Sequence, residues 1–394
     1  MRNLDDHCLG AFGVPTIDHN LAGVCESKRD YLINGAILAT IDGRRSMWPK
    51  NHIKRHLMPQ RGEPSMTKTN SGGFAILLAI LSTFPIVGNA VAQANYPERP
   101  IRLIVAFPPG GPSDIVARLM ANKLTEALGK PAVVENVSGA SGNIGTERVA
   151  KSPPDGHTLL ISAPGPLVVN PSLYQKVPFD PLRDLAPISQ LCFTPNVLVV
   201  NNDLPVKSVK ELIALARKNP GQLSFASGGV GTSNHLAAEL FKLMAGINLQ
   251  HVPYRGVSVS VPDIIGGRVP VAFLSMPTAL PLTRDGKLRA LAVGTATRWG
   301  AAPEIPTMEE EGVSGFRSTV WHSFLAPAGT PPAILERLHR ETMRILALPD
   351  VRKIFDDQGL AVIGSTPAEF AAVIKDEGQQ WAKVIKESGL KAGN

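Results

Sequence analysis

Cysteine is scarce in this chain: its 394 residues hold three, Cys8, Cys25 and Cys192. Cys8 and Cys25 have no C-x-x-C partner spacing, so they spell out no metal cluster. H-E-x-x-H is missing as well. The glycine-rich segments contain neither G-x-x-x-x-G-K-[ST] nor G-x-G-x-x-G, which argues against a nucleotide phosphate cradle. No G-x-S-x-G elbow occurs, and the histidines at 157, 235, 251, 322 and 339 show no recognisable nucleophile spacing. Basic clusters interleaved with aromatics are lacking too, so nothing points to nucleic acid. The sequence offers turns that bind and little that reacts.

The most prominent apolar run, Phe74 to Val87, has 14 residues, short of the roughly 20 that a helix needs to span a bilayer. It follows Met66 and Lys68 and precedes Ala90-Val91-Ala92 and Ala92-Gln93-Ala94. A charged start, an apolar core and an A-x-A site make a secretory signal peptide over 66–94. Residues 1–65 show no sustained periodicity and read as an upstream extension, with Met66 the initiator. The exported protein is then expected to begin at Gln93 or Asn95. Setting aside residues 1–92, with 10 Lys+Arg and 7 Asp+Glu, leaves 30 basic and 26 acidic side chains, a net charge of +4. Only Cys192 remains, so the exported chain cannot form an internal disulfide. A periplasmic, soluble product is expected.

From Tyr96 onward, strand-like and helix-like segments alternate. Ile101–Phe107 is almost continuously apolar, as befits a strand buried on both faces. Ser113 or Asp114 can cap the helix that follows, and Gly129 stops it. Ala132–Val137 and Thr158–Ser162 continue a βαβαβ pattern, which implies a parallel sheet covered by helices. The pattern restarts near Asn196–Val200, and SVKE (Ser208 to Glu211) is a capping box. Further strands are expected at Leu223–Ala226, Gln250–Tyr254, Val269–Leu274 and Leu288–Val293. Helices are expected over Ala333 to Gln358 and Pro367 to Ser388.

Four turns follow strands: FPPGGPSD, GASGNIG, SAPGPLVVNP and SGGVGTSNH. In open α/β sheets such turns sit where ligands bind, and helix N-termini there favour anions. Four of them in two units predict a cleft rather than four isolated caps.

The segments YPERPIRLIVAFPPGGPSDIVAR, VVENVSGASGNIGTERVAKSPPDGHTLLI, NPSLY, HLAAELFKLMAGINLQHVPYRG and GKLRALAV resemble the tripartite tricarboxylate transporter receptor family, the Bug-type extracytoplasmic solute-binding proteins. The resemblance spans roughly residues 95–390. It implies an α/β, two-lobed periplasmic-binding-protein-like fold, each lobe a mostly parallel sheet flanked by helices, with two crossovers near 196–200 and 315–325. Lobe one would take 95–196 and 321–394; lobe two would be 197–320. It also implies capture of a small carboxylate for a membrane permease, with no cofactor, metal or nucleic acid, by a monomer.

Carried across, the first turn supplies Phe107, Pro109, Gly110, Gly111, Ser113 and Asp114. The third supplies Ser162, Ala163, Gly165 and Asn170. The second-lobe turn supplies Ser227, Gly228, Gly229, Gly231, Thr232 and Ser233, and Tyr254 and Ser275 follow later strands. Glycines let backbone approach the ligand, Ser113, Thr232 and Ser233 donate hydrogen bonds, and Phe107 is an apolar wall. Asp114 is expected to cap its helix or order the turn. The chain departs from the family pattern at Pro270, in the two prolines of SAPGPLVV and in the long N-terminal extension. Two other readings stand beside this one: an exported hydrolase of a small ester or amide using Ser113 or Ser233, and a ligand-sensing partner of a membrane kinase.

Overall fold

The computed structural model describes residues 96–388; the upstream extension and the signal segment lie outside the described residues. The chain first forms β1 (Ile101–Val105), α1 (Pro112–Leu128), β2 (Ala132–Asn136), α2 (Asn143–Ala150), β3 (Thr158–Ser162) and α3 (Asn170–Leu173). A 17-residue strand, β4 (Leu185–Asn201), then carries it into a second unit. That unit holds α4 (Val209–Lys218), β5 (Ser224–Ser227), α5 (Ser233–Ala245), β6 (Gln250–Pro253), α6 (Val257–Ile265), β7 (Val271–Ser275), α7 (Met276–Arg284) and β8 (Leu288–Val293). The return is made by β9 (Thr319–Pro327), α8 (Pro332–Ala347), α9 (Pro349–Asp357), β10 (Ala361–Val362) and α10 (Pro367–Ser388).

Pairing separates two lobes around β4. In the first lobe the order is β2-β1-β3-β9-β4, with β10 also on β4; in the second it is β4-β7-β5-β6, with β8 also on β4. Pairs remote from β4 are parallel (β1–β2, β1–β3, β5–β6, β5–β7), whereas β4 pairs antiparallel with β7, β8, β9 and β10. Helices lie on the connections between these parallel strands, which a tight turn cannot join. Every antiparallel pair among the described residues includes β4 or β9, the two strands that carry the chain between lobes, and β3–β9 is one of these pairs.

Both sheets are covered on both faces. In the first lobe Leu103 shares a core with Met120 and Leu124 of α1 and Leu338 and Ile345 of α8, while Ile104 belongs to a second core with Phe370 and Ile374 of α10. In the second, Phe273 packs with Leu212 and Phe241, and Ala272 with Ile264 and Ala279. Alternating neighbours along one strand thus feed opposite cores, which is why these strands read as continuous apolar runs.

Local expectations fare unevenly. Ser208 Oγ accepts from the Glu211 N–H at 3.2 Å, so the cap over α4 is there. Neither Ser113 nor Asp114 caps α1. The N-cap is Gly111 and Pro112 occupies the first helical position, where its missing N–H costs nothing. Residues 333–358 form two helices, because Leu348 precedes Pro349 and is held extended (ψ 134°). SAPGPLVVNP is not a plain turn: Gly165–Val169 winds as one π-helical turn into α3.

Candidate functional site

A cavity of about 50 Å³ lies between the lobes. Its first-lobe wall is the β1–α1 turn, with Phe107, Pro108, Gly111, Pro112 and Ser113, and the β3 turn, with Ala163, Pro164 and Gly165. The second lobe contributes Gly228, Thr232, Ser233 and Asn234 at the start of α5, then Gly256, Val257 and Ser258 at the start of α6, and Ser275 before α7. Val320 and His322 of β9 complete the lining. None of these residues is a lysine or arginine.

Four helix N-termini therefore meet at one cavity. In α1, α5, α6 and α7 no side chain caps the N-terminus. Thr232 is the N-cap of α5, yet its hydroxyl donates to the Gly229 carbonyl at 2.7 Å. The positive ends of these helices are left for whatever enters the cleft. An anion can be held here without a counter-cation.

Second to the lining comes a set of residues that shape the turns. The Asp114 carboxylate accepts from the Gly110 N–H (2.9 Å), Arg118 Nε (2.9 Å) and Asn136 Nδ2 (3.0 Å). Burial alone would raise this carboxyl, but those hydrogen bonds and the Arg118 charge hold it below its ordinary value. Asp114 is spent on the turn, and Gly110 adopts φ +74° beside it. In the other lobe Ser227 Oγ accepts from the Gly229 N–H at 3.1 Å and lies 2.6 Å from His251 Nε2. The Gly231 N–H donates to His235 Nδ1 at 3.3 Å, and the two imidazoles lie tilted at 39° with centroids 4.3 Å apart.

The lobes touch on both flanks of the cavity. Ser258 Oγ donates to the Pro109 carbonyl at 3.1 Å, and the Tyr174 hydroxyl donates to the Val230 carbonyl at 3.0 Å. A Cβ on Gly231 would stand 2.5 Å from Asn170 Oδ1, and one on Gly229 would stand 2.7 Å from Ser141 Oγ. These glycines allow close approach of the lobes rather than contact with the cavity. GASGNIG takes the same role through Ser141.

Of the residues singled out in the sequence, Phe107, Gly111, Ser113, Ala163, Gly165, Gly228, Thr232, Ser233 and Ser275 line the cavity. Pro109, Gly110, Asp114, Asn170, Ser227, Gly229 and Gly231 stand behind it in the supporting roles just described. Ser162 is wholly buried and its carbonyl accepts from Ser323 Oγ. Tyr254 turns its hydroxyl to Asp263 Oδ2 at 2.7 Å, away from the lining. The sequence reading missed Pro108, Pro112 and Pro164, which adjoin residues it named, and Asn234, Gly256, Val257, Ser258, Val320 and His322. Gly256 and Ser258 belong to YRGVS, a further strand–glycine–helix turn that the same rule would have found. His322 has no such signal, since it sits mid-strand.

His322 is fully buried, its Nδ1 lies 3.1 Å from Ser113 Oγ, and its Nε2 has no partner in the protein. Burial pushes its imidazole down to about 4. His235 and His251 are also pushed down to about 4, chiefly by burial. Each stays neutral in the folded chain where the unfolded chain, near 6.5, takes up a proton. Stability from these groups is therefore complete above about pH 6.5 and lost as pH falls towards 4. Glu377, which accepts from Trp321 Nε1 and is pushed up to about 7 by burial, works in the opposite direction between about 4.5 and 7. Three histidines against one carboxyl predict a lower melting temperature at pH 4.5 than at pH 7.5. A flat or rising melting temperature over that range would contradict these environments.

Residues 116–390 match the family model of the tripartite tricarboxylate transporter family receptor. The chain belongs to this family. It is 40% identical over 319 residues to protein BugT of Bordetella pertussis, covering 80% of this chain and 98% of that protein. Among solved structures, a periplasmic transporter matches with 39% identity and a TM-score of 0.73, over 76% of this receptor and all of that chain. A protein of R. palustris solved with adipate matches with 36% identity and a TM-score of 0.73, over 75% and 99%. The receptor is thus a two-lobed solute-binding protein of the periplasmic-binding-protein type.

Proposed function

We propose that this receptor works in the periplasm, closes around a small carboxylate and delivers it to a membrane permease of the tripartite tricarboxylate type. One observation carries the choice of ligand: four uncapped helix N-termini meet at a cavity lined by no cationic side chain. Backbone N–H groups and helix ends stabilise one carboxylate there, and Phe107, Pro108, Pro112 and Val320 suit an apolar body. The adipate-bound relative supports the same reading. The working site in this proposal is the cavity lining together with the braces behind it, and the lobes are 95–196 with 321–394, and 197–320, hinged where β4 passes Asn196.

The hydrolase reading gains a Ser–His contact in the cleft, Ser113 with His322, but not the rest of the apparatus. In a nucleophile–base–acid arrangement the second imidazole nitrogen is oriented by an acid, and His322 Nε2 has no partner. Binding without turnover is the better account. Calorimetry with acetate, benzoate, malate, adipate and citrate, each beside its amide, tests it. At least one acid is expected to bind while its amide does not. Equal binding of acid and amide, or release of product from an ester, would overturn the proposal.

A further inference from the structure

Ser113 and His322 are separated by 209 residues and meet at the first-lobe side of the cavity. Both are almost entirely buried, at 2% and 0% exposure. The imidazole is held on β9 and the serine in the first turn of α1, so secondary structure fixes both positions. A 3.1 Å contact between a hydroxyl and a ring nitrogen admits two arrangements. In one, Ser113 donates to Nδ1, and the proton of the neutral ring sits on Nε2. In the other, Nδ1–H donates to Ser113 Oγ, and Nε2 carries a lone pair.

The burial of Nε2 with no protein acceptor beside it favours the second arrangement. The first arrangement buries an N–H with no acceptor, a state rarely tolerated in folded proteins. The second leaves a bare lone pair, which is the smaller penalty. It also changes Ser113. With its oxygen already accepting from His322, the hydroxyl hydrogen is free to turn towards the cavity that Ser113 lines. Neighbouring donors in the same wall are backbone groups of fixed direction; this is the one hydroxyl there whose hydrogen is set by a buried imidazole.

We propose that His322 is a positioning residue that donates from Nδ1 to Ser113 Oγ and so commits the Ser113 hydroxyl as a hydrogen-bond donor to the ligand carboxylate. This rests on the carboxylate reading above and adds to it a residue from a strand far along the chain. It also accounts for the choice of residue. Asparagine at 322 can place its Nδ2–H where the histidine has Nδ1–H, whereas leucine fills similar space and offers no donor. The arrangement opposes the hydrolase reading as well, because a general base at Nδ1 would have to accept the serine proton rather than give its own.

Calorimetry with the tightest-binding acid of the panel, on Ser113→Ala, His322→Leu, His322→Asn and Ser113→Ala/His322→Leu, tests the coupling. Ser113→Ala and His322→Leu are each expected to weaken binding about tenfold, as loss of a hydrogen bond to a charged group does. The double variant is expected to be no weaker than Ser113→Ala, and His322→Asn to recover most of the loss. Losses that multiply in the double variant, or no recovery with His322→Asn, would overturn the inference while leaving carboxylate binding intact. A parent protein that binds no acid in the panel would overturn both readings. Nitrogen-15 NMR of the unmutated receptor gives an answer independent of folding defects. The Nδ1–H tautomer of His322 is expected, and an Nε2–H tautomer overturns the inference outright.

Discussion

A Gly111→Leu receptor is expected to fold normally and to bind no carboxylate. Gly111 has φ −84°, a conformation open to any residue, and a Cβ there would meet the Pro108 carbonyl oxygen at 3.5 Å and Ser258 Oγ at 4.0 Å. The added methyl alone fits. The rest of the leucine side chain enters the cavity that Gly111 lines and takes the space a ligand needs. The same side chain covers the N-terminus of α1, where the anion is held. Binding should fall below detection in calorimetry, with unchanged circular dichroism and melting temperature. A folded variant that binds like the parent places the ligand elsewhere.

The second large effect concerns closure. Across the cleft, a Cβ on Gly256 would lie 2.3 and 2.4 Å from two carbons of the Pro108 ring. Gly256 has φ 165°, extended backbone that alanine adopts freely. Gly256→Ala is therefore compatible with each lobe by itself and incompatible with the two lobes meeting as they do. Since affinity scales with the population of the binding-competent state, a drop of roughly 100-fold or more is expected. Small-angle scattering separates this from a folding defect. The parent should contract on adding its ligand, and the variant should keep the larger radius. Tight binding by Gly256→Ala would mean that closure does not require this contact.

The features legible in the sequence were those set by short-range patterning. Apolar runs such as Ile101–Val105, glycine-rich turns and the Ser208–Glu211 cap all have a local cause, and family resemblance joined them into two lobes. Other features depend on partners distant in the chain. β4 contains Pro187 and Pro195, which argue against a strand. The chain accommodates Pro187 at a register shift opposite β9. His322 was invisible for a related reason, because a mid-strand histidine gains meaning only when α1 brings Ser113 to it. Tyr254 shows the reverse: it follows a strand as the lining residues do, but its hydroxyl is given to Asp263 nine residues on. The glycines at 229 and 231 were legible as close-approach positions, but what approaches them is the opposite lobe.

The central claim is that the carboxylate is held by backbone and helix ends at the interlobe cavity, with Ser113 beside it. Determining the structure of the receptor with its tightest-binding acid tests this most directly. The account predicts both carboxylate oxygens within hydrogen-bond distance of N–H groups at the starts of α1 and α5, or of waters they hold, with Ser113 Oγ donating to one. A carboxylate paired instead with an arginine or lysine, or seated outside the cleft, would contradict it.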